Sequence, residues 1–230
     1  MTGVQKCALP IYEDALAIIA RYDIAAPAAI TRHLQRGVAG EHSETPKPGD
    51  TLFQRVQNKV IATAHTSLEA AAHYLESEGV TAAILGDSVT GEAREVAKVY
   101  GAMARELRRY GQPWKPPVAL ISGGECTVTV RGQGRGGRCT EFLLSLAIDL
   151  NSAPNIHALA CDTDGIDGSE DNAGALLTPD TLMRAKRLNL NATAHLDNND
   201  GYGFFHALND LVITGPTRTN VNDFRVILLT

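Results

Sequence analysis

The sequence is poor in cysteine: four residues, Cys7, Cys126, Cys139 and Cys161, fall at gaps of 119, 13 and 22. None forms a C-x-x-C pair, so neither a zinc ribbon nor a disulfide framework has support, and reduced thiols in a cytoplasmic protein are the expectation. Long apolar runs are also missing, since no stretch approaches the roughly 18 residues of a membrane helix. Residues 1–11 carry neither the apolar core nor the small-residue cleavage site of a signal peptide. Positive charge is not in excess. The 21 Lys+Arg against 26 Asp+Glu leave a net charge of −5, which speaks against a nucleic-acid coat or a basic membrane arm. There is no G-x-x-x-x-G-K-[ST], so this is not a P-loop enzyme, and no G-x-S-x-G elbow supports a serine hydrolase. The seven histidines are scattered without metal-ligand spacing, and His65 and His73 read as helix-surface residues. What is present is a folding composition: 44% hydrophobic and 20% charged over 230 residues, enough for one large domain or two small ones.

Short β-rich runs alternate with helical patterns from about Lys59. Val60–Thr63 reads as a strand, and Ala64–Ser77 places Leu68, Ala71, Ala72 and Leu75 on one helical stripe. Val80–Leu85 is the next strand. Thr90–Tyr110 is a helix whose apolar face is Val96, Val99, Tyr100, Met103, Leu107 and Tyr110. Val118–Ile121 and Cys126–Val130 read as antiparallel strands joined by a turn at Ser122-Gly123-Gly124-Glu125, followed by a buried helix over Arg138–Leu150. Further strands are expected at Ile156–Cys161, Leu211–Thr214 and Phe224–Leu229, with short helices at Thr178–Leu188 and Tyr202–Leu208. Tyr12–Tyr22 has a helix-like pattern, and Glu44–Asp50 reads as a rigid loop. This alternation predicts an α/β fold with a mixed, largely parallel sheet flanked by helices. Such sheets gather ligands at the carboxyl ends of their strands. A composition shift places a domain boundary at 112–117.

Three loops carry the polar chemistry. Six glycines fall within the fifteen residues 123–137, with Arg131, Arg135 and Arg138 among or just after them. Such a loop at a helix start suits an anion, although a hairpin turn with solvated arginines would look similar. Gly132, Gly134 and Gly137 also match G-x-G-x-x-G, the dinucleotide fingerprint. Against that, the Cys126–Val130 run alternates polar and apolar, whereas a Rossmann first strand is nearly all apolar. The second loop, Asp162–Asp171, holds five acidic residues in ten, inside a span from Cys139 to Met183 without Lys or Arg. Its carboxylates suggest Mg²⁺ bridging to phosphate, or equally a solvated turn. The third loop, Thr214–Asp223, offers hydroxyls, amides and Arg218 to an oxygen-rich ligand.

Taken together, three segments resemble the MOFRL domain of the class II glycerate kinase family: Ser122–Val130 through Gly136-Gly137-Arg138-x-x-Glu141-Phe142, then Thr163–Gly168, then Thr214–Asp223. Upstream, 15–110 is similar to the end of the family's Rossmann-like N-terminal domain. The resemblance implies three parts: an unmatched leader over 1–11, which looks like a cloning remnant joined to a truncated gene; the N-terminal domain's tail over 12–112; and a MOFRL domain over 117–230. It implies ATP-dependent phosphorylation of D-glycerate to 2-phosphoglycerate, with ATP and Mg²⁺ as cofactors, glycerate as small-molecule partner, no nucleic acid, no membrane, and a homodimer among the assemblies to test. Arg138 and Asp164 are then the catalytic candidates. Ser122, Gly123, Gly124, Glu125, Gly136, Gly137, Asp167, Thr217, Asn220, Asn222 and Asp223 would line the substrate and nucleotide pocket, and Asp164 with Asp167 would hold the metal. Cys139 replaces the family's usual Asn and removes one amide. Because members are nearly twice this length, the resemblance implies little turnover from these 230 residues alone. An NAD(P)H-dependent hydroxypyruvate reductase and a non-catalytic ligand-binding fragment are the competing readings.

Overall fold

The computed structural model describes residues 11–57 and 59–230. The described residues divide into two compact units, one within 11–60 and one over 61–230. Residues 112–117, where a composition shift marks an expected boundary, lie within the second unit, on the connection between a helix and the strand that follows it.

The first unit contains α1 (Tyr12–Arg21), α2 (Ala28–Val38) and a single 3₁₀ turn at Thr51–Phe53. Tyr12 fastens it internally. Its ring meets His33 edge-on, its hydroxyl donates to Ser43 O at 3.1 Å, and its amide donates to Glu44 at 3.2 Å. The remaining described part of the Glu44–Asp50 segment is loop, as its prolines dictate.

In the second unit, α3 (Ala64–Ser77) is capped by the Thr63 hydroxyl accepting from the Thr66 amide. It leads into β1 (Thr81–Gly86), α4 (Ala93–Tyr110), β2 (Val118–Gly124), α5 (Arg138–Leu150) and β3 (Ile156–Asp162). Then come β4 (Gly174–Leu177), α6 (Thr181–Arg187), α7 (Ala192–Asp197), α8 (Gly201–Leu208), β5 (Leu211–Val212) and β6 (Asp223–Leu229). Among the described residues, the six strands form one sheet in the order β1-β2-β6-β3-β4-β5. The mixed α/β sheet is as expected, but its pairing is not largely parallel. Only β1 with β2 pairs in parallel; β2 with β6, β6 with β3, β3 with β4 and β4 with β5 are antiparallel. The β2–α5–β3 alternation does bring β3 back in the same direction as β2. The last strand of the chain then inserts between them and converts one parallel neighbourhood into two antiparallel ones.

β2 is buried along its whole length, whereas β3 and β6 alternate buried and half-buried positions. One sheet face packs on α4, α5 and α8 through a core that includes Leu120, Phe142, Leu146, Ile156, Phe204 and Ile227. On the other face α3 covers Ala119 and Ile121 with Leu68 and Ala72. Helix α4 buries Ala93, Ala97, Tyr100, Gly101, Ala104 and Leu107, while Val99 and Tyr110 of its expected face lie 60% and 54% exposed. Small side chains let α4 approach α5 closely, and a reading weighted by hydrophobicity favours the larger ones beside them.

Two further expectations change. Residues 60–63 form no strand. Cys126–Val130 is not a hairpin strand against β2 either; it is an extended arm whose Thr127 bridges Glu92 in parallel, exchanging backbone bonds with Gly91 and Ala93. Ser122, Gly123 and Gly124 belong to β2 itself.

Candidate functional site

Because β2 and β3 run the same way with β6 reversed between them, the ends of β2 and β3 and the start of β6 meet on one edge. Gly124 and Asp162 are both in register with Asp223. Arg138, the first residue of α5, reaches over this edge. Its Nε donates to Asp223 Oδ1 at 2.7 Å, its Nη2 bonds Asp162, and Glu125 lies 3.9 Å away. The arginine side chain keeps 20% exposure, whereas those of Asp162 and Asp223 have 3% and 0%. Desolvation opposes the Arg138 charge, but the carboxylates of Asp223 and Asp162 outweigh it and hold the guanidinium ionised. Burial pushes the Asp162 carboxyl up to about 6, against the opposing effect of the Asp164 amide and Arg138.

A second arginine stands behind the first. Arg225, 1% exposed, bonds the other oxygen of Asp223, donates to Gly123 O at 3.1 Å and reaches Cys126 Sγ at 3.2 Å. Its guanidinium carbon lies 5.4 Å from the centre of the Phe142 ring. Ser122 is wholly buried two register pairs in from the edge, opposite Arg225 and beside the Tyr100 phenol, whose pKa burial raises.

The acidic and Thr/Asn loops are laced together. Thr163 donates its amide to Asn222 O at 3.1 Å and its hydroxyl to the same oxygen at 2.7 Å, and Val221 N donates back to Thr163 Oγ1 at 2.9 Å. Asn220 Nδ2 donates to Asp164 Oδ2 at 3.1 Å, while Ile166 N donates to Asp164 Oδ1 at 2.9 Å. Thr217 N donates to Asp164 O at 3.0 Å, and the Thr217 hydroxyl bonds Thr163 O. Thr217 and Asn220 are exposed at the rim; Asn222 and Asp223 are buried.

Asp167 sits elsewhere. Fully buried, it accepts from Cys139 N at 2.9 Å, Thr140 N at 2.8 Å and the Thr140 hydroxyl at 2.8 Å. It is the anion at the start of α5, supplied by the protein itself. Burial raises its pKa, and those amides oppose the rise. Both Asp167 oxygens are thus occupied by the start of α5. Among the described residues, no three His, Cys, Asp or Glu side chains converge as a metal site. Gly137 follows from the same contact, since a Cβ there would lie 2.2 Å from Asp167 Oδ1. Cys139 faces the core, wholly buried, with its thiol pKa pushed well up by burial.

The glycine arm is likewise engaged. Arg131 N and Gly132 N donate to Asn199 Oδ1, Gln133 N to Asn198 Oδ1, Gly134 N to Asn198 O, and Arg135 N to Asp200 Oδ1. A Cβ at Gly134 would come within 2.4 Å of the Asp200 side chain and 2.6 Å of Asn198 O. These glycines serve close backbone packing, and their amides do not form an open pyrophosphate cradle. Between arm and helix lies an open cleft of about 240 Å³, lined by Cys126, Val128, Val130, Gly134, Gly136, Gly137, Arg138, Glu141, Asn199 and Gly201.

The structure thus brings Gly123, Gly124, Glu125, Arg138, Asp164, Asn222 and Asp223 to one edge, with Thr217 and Asn220 on its rim and Ser122 beneath. It assigns Asp167 and Gly137 to the helix cap. Sequence reading does not single out Arg225, and it marks Asp162 only as one of the five acids of its loop. A signal for Arg225 exists: Asp223 and Arg225 are two apart in an otherwise apolar strand, and therefore on one face. The trio of Glu141, Arg94 at 2.8 Å and Asn199 at 2.8 Å is bonded across 47 and 58 positions and has no local sequence mark.

Fold and site together define an α/β domain whose polar centre is a pair of arginines and a pair of buried carboxylates at one end of a mixed sheet. Residues 118–223 match the MOFRL family. A protein of Agrobacterium vitis provisionally named hydroxypyruvate reductase is 46% identical over 94% of this chain and 48% of its own. Glycerate 2-kinase of Pyrococcus horikoshii is 33% identical over 95% of this chain and 50% of its own. The crystal structure of glycerate kinase from Thermotoga maritima superposes with a TM-score of 0.81 at 33% identity, covering 95% of this chain and 50% of that one. The chain spans about half the length of these relatives. No helix among the described residues is long and apolar enough to cross a membrane.

Proposed function

We propose that this chain forms the MOFRL part of an ATP-dependent glycerate kinase, which transfers the terminal phosphoryl group of ATP to the 2-hydroxyl of D-glycerate. The observation that carries this reading is Arg138, a partly exposed guanidinium fixed by two buried carboxylates at the edge where the three loops converge. Phosphoryl transfer asks a protein mainly for positioning and charge neutralisation. Arg138 spends Nε and Nη2 on the protein, and among the described residues Nη1 makes no protein hydrogen bond. That prong suits the substrate carboxylate or the equatorial oxygens of the transferring group. In the step itself, the hydroxyl oxygen bonds phosphorus, the bond to the ADP oxygen breaks, and the hydroxyl proton leaves. Asp162, whose carboxyl burial pushes up to about 6, suits that proton. Asp164 orients the rim through Asn220 and Thr217.

Among the described residues no three His, Cys, Asp or Glu side chains converge on a metal, so no step is assigned to a metal held by this chain. The reductase reading loses its main support because the amides of 131–135 are bonded to 198–200. The test is coupled detection of ADP with D-glycerate, ATP and Mg²⁺, in a chain extended to the length of its relatives. Glycerate-dependent ADP formation is expected. NAD(P)H oxidation by hydroxypyruvate without ADP formation would replace this reading by the reductase.

A further inference from the structure

We propose that Arg225 is a positioning residue: buried behind the site, it locks Asp223 so that Asp223 can fix the side-chain direction of Arg138. The proposal gives this residue functional meaning only through the reading of Arg138 as the ligand-facing guanidinium, on which it rests.

Asp223 has two oxygens and two guanidinium partners, with Oδ1 on Arg138 Nε at 2.7 Å and Oδ2 on Arg225 Nη2. A carboxylate gripped on one oxygen alone keeps rotational freedom about its terminal torsion, which is broad for Asp. Gripped on both, it is fixed. Arg225 is itself over-determined, by Gly123 O at 3.1 Å, Cys126 Sγ at 3.2 Å and the Phe142 ring. The same guanidinium therefore ties the end of β2, the root of the 126–137 arm, α5 and the start of β6 to one point.

Charge points the same way. A wholly buried arginine is expensive, and a strand needing only packing would carry an apolar residue there. Asp162 and Asp223, nearer than Glu125 at 3.9 Å, face Arg138, and both would draw it. Asp162 approaches from β3 and Asp223 from β6, so the direction of the Arg138 fork depends on Asp223 staying where Arg225 holds it.

The test reads Arg138 directly, without ligand or turnover. In ¹⁵N NMR of the 230-residue chain, the Nε–H resonance of Arg138, assigned by its loss in Arg138→Lys, should be protected from solvent exchange. Arg225→Lys keeps the charge but not the planar fork, and should accelerate that exchange at least tenfold while backbone amide dispersion is retained. Unchanged exchange, within twofold, in folded Arg225→Lys would overturn the proposal. If Arg225→Lys does not fold, Phe142→Leu decides: it leaves both arginines and removes the ring beneath Arg225 together with its edge-on contact to Tyr100, so retained backbone amide dispersion is required here too. A threefold or greater acceleration supports the proposal, and none refutes it. Because no substrate enters the measurement, failure of the kinase reading shows separately, as absence of glycerate-dependent ADP formation in the extended wild-type chain.

Discussion

Replacing Asp167 by Ala separates its two sequence-level roles, metal ligand and helix cap. In the structure its carboxylate satisfies two buried amides and one hydroxyl at the start of α5, a helix at the centre of the core. Leaving two buried donors without acceptors costs about 1–3 kcal/mol each. Part of that is returned, because burial raises the Asp167 pKa and the ionised carboxylate is itself costly to bury. A net loss of about 3 kcal/mol follows, which for a chain of this size lowers Tm by roughly 6–12 °C. Urea unfolding followed by circular dichroism gives the free energy, and a parallel Mg²⁺ titration gives the metal dependence. The cap account requires the stability loss whether or not Mg²⁺ is present. A variant within about 1 kcal/mol of wild type, or one whose only defect is weakened Mg²⁺ binding, would refute it and return Asp167 to the metal site.

Other consequences can be checked with equal directness. Asp162 has a folded-state carboxyl pKa of about 6 against an ordinary 3.8, so its contribution to stability is fully present below about pH 4 and is lost as pH rises through 6. The difference of about two units corresponds to about 3 kcal/mol, and carboxyl ¹³C NMR should place the Asp162 midpoint near 6; a midpoint near 4 would contradict the burial argument. Gly134→Ala forces the arm away from Asn198 and Asp200, so trypsin should cut at Arg131 and Arg135 faster than in wild type, and unchanged cleavage would refute the close-packing role. Arg94→Ala leaves Glu141 buried and without its guanidinium and should cost about 3–5 kcal/mol; adding Glu141→Gln should recover much of it, as measured by urea unfolding.

The fold was legible where periodicity decides it. The stripe of Leu68, Ala72 and Leu75 on α3, the apolar helix 138–150 and the strands at 81–86, 156–162 and 223–229 follow from local pattern. Pairing was not legible, because β6 reaches its place between β2 and β3 only after three helices and two strands, and nothing in Phe224–Leu229 encodes its neighbours. The run Cys126–Val130 looks like a strand for the same local reason, yet its partner is the Glu92 region rather than β2. At the site, Arg138 and Asp223 were readable from the resemblance. Asp167 was readable as an acid but not as a cap, since its amides lie 27 and 28 residues upstream. The glycine arm shows the same limit: the residue types reveal close approach, while what approaches, here Asn198–Asp200, depends on the fold.

The central claim, that Arg138 neutralises charge in phosphoryl transfer, is tested most directly by Arg138→Ala in a chain extended to the length of its relatives. The measurement is kcat/KM for D-glycerate at saturating ATP. The account predicts at least a tenfold loss, about 1.4 kcal/mol of transition-state stabilisation, with the circular dichroism of the folded protein retained. A near-wild-type kcat/KM would contradict it.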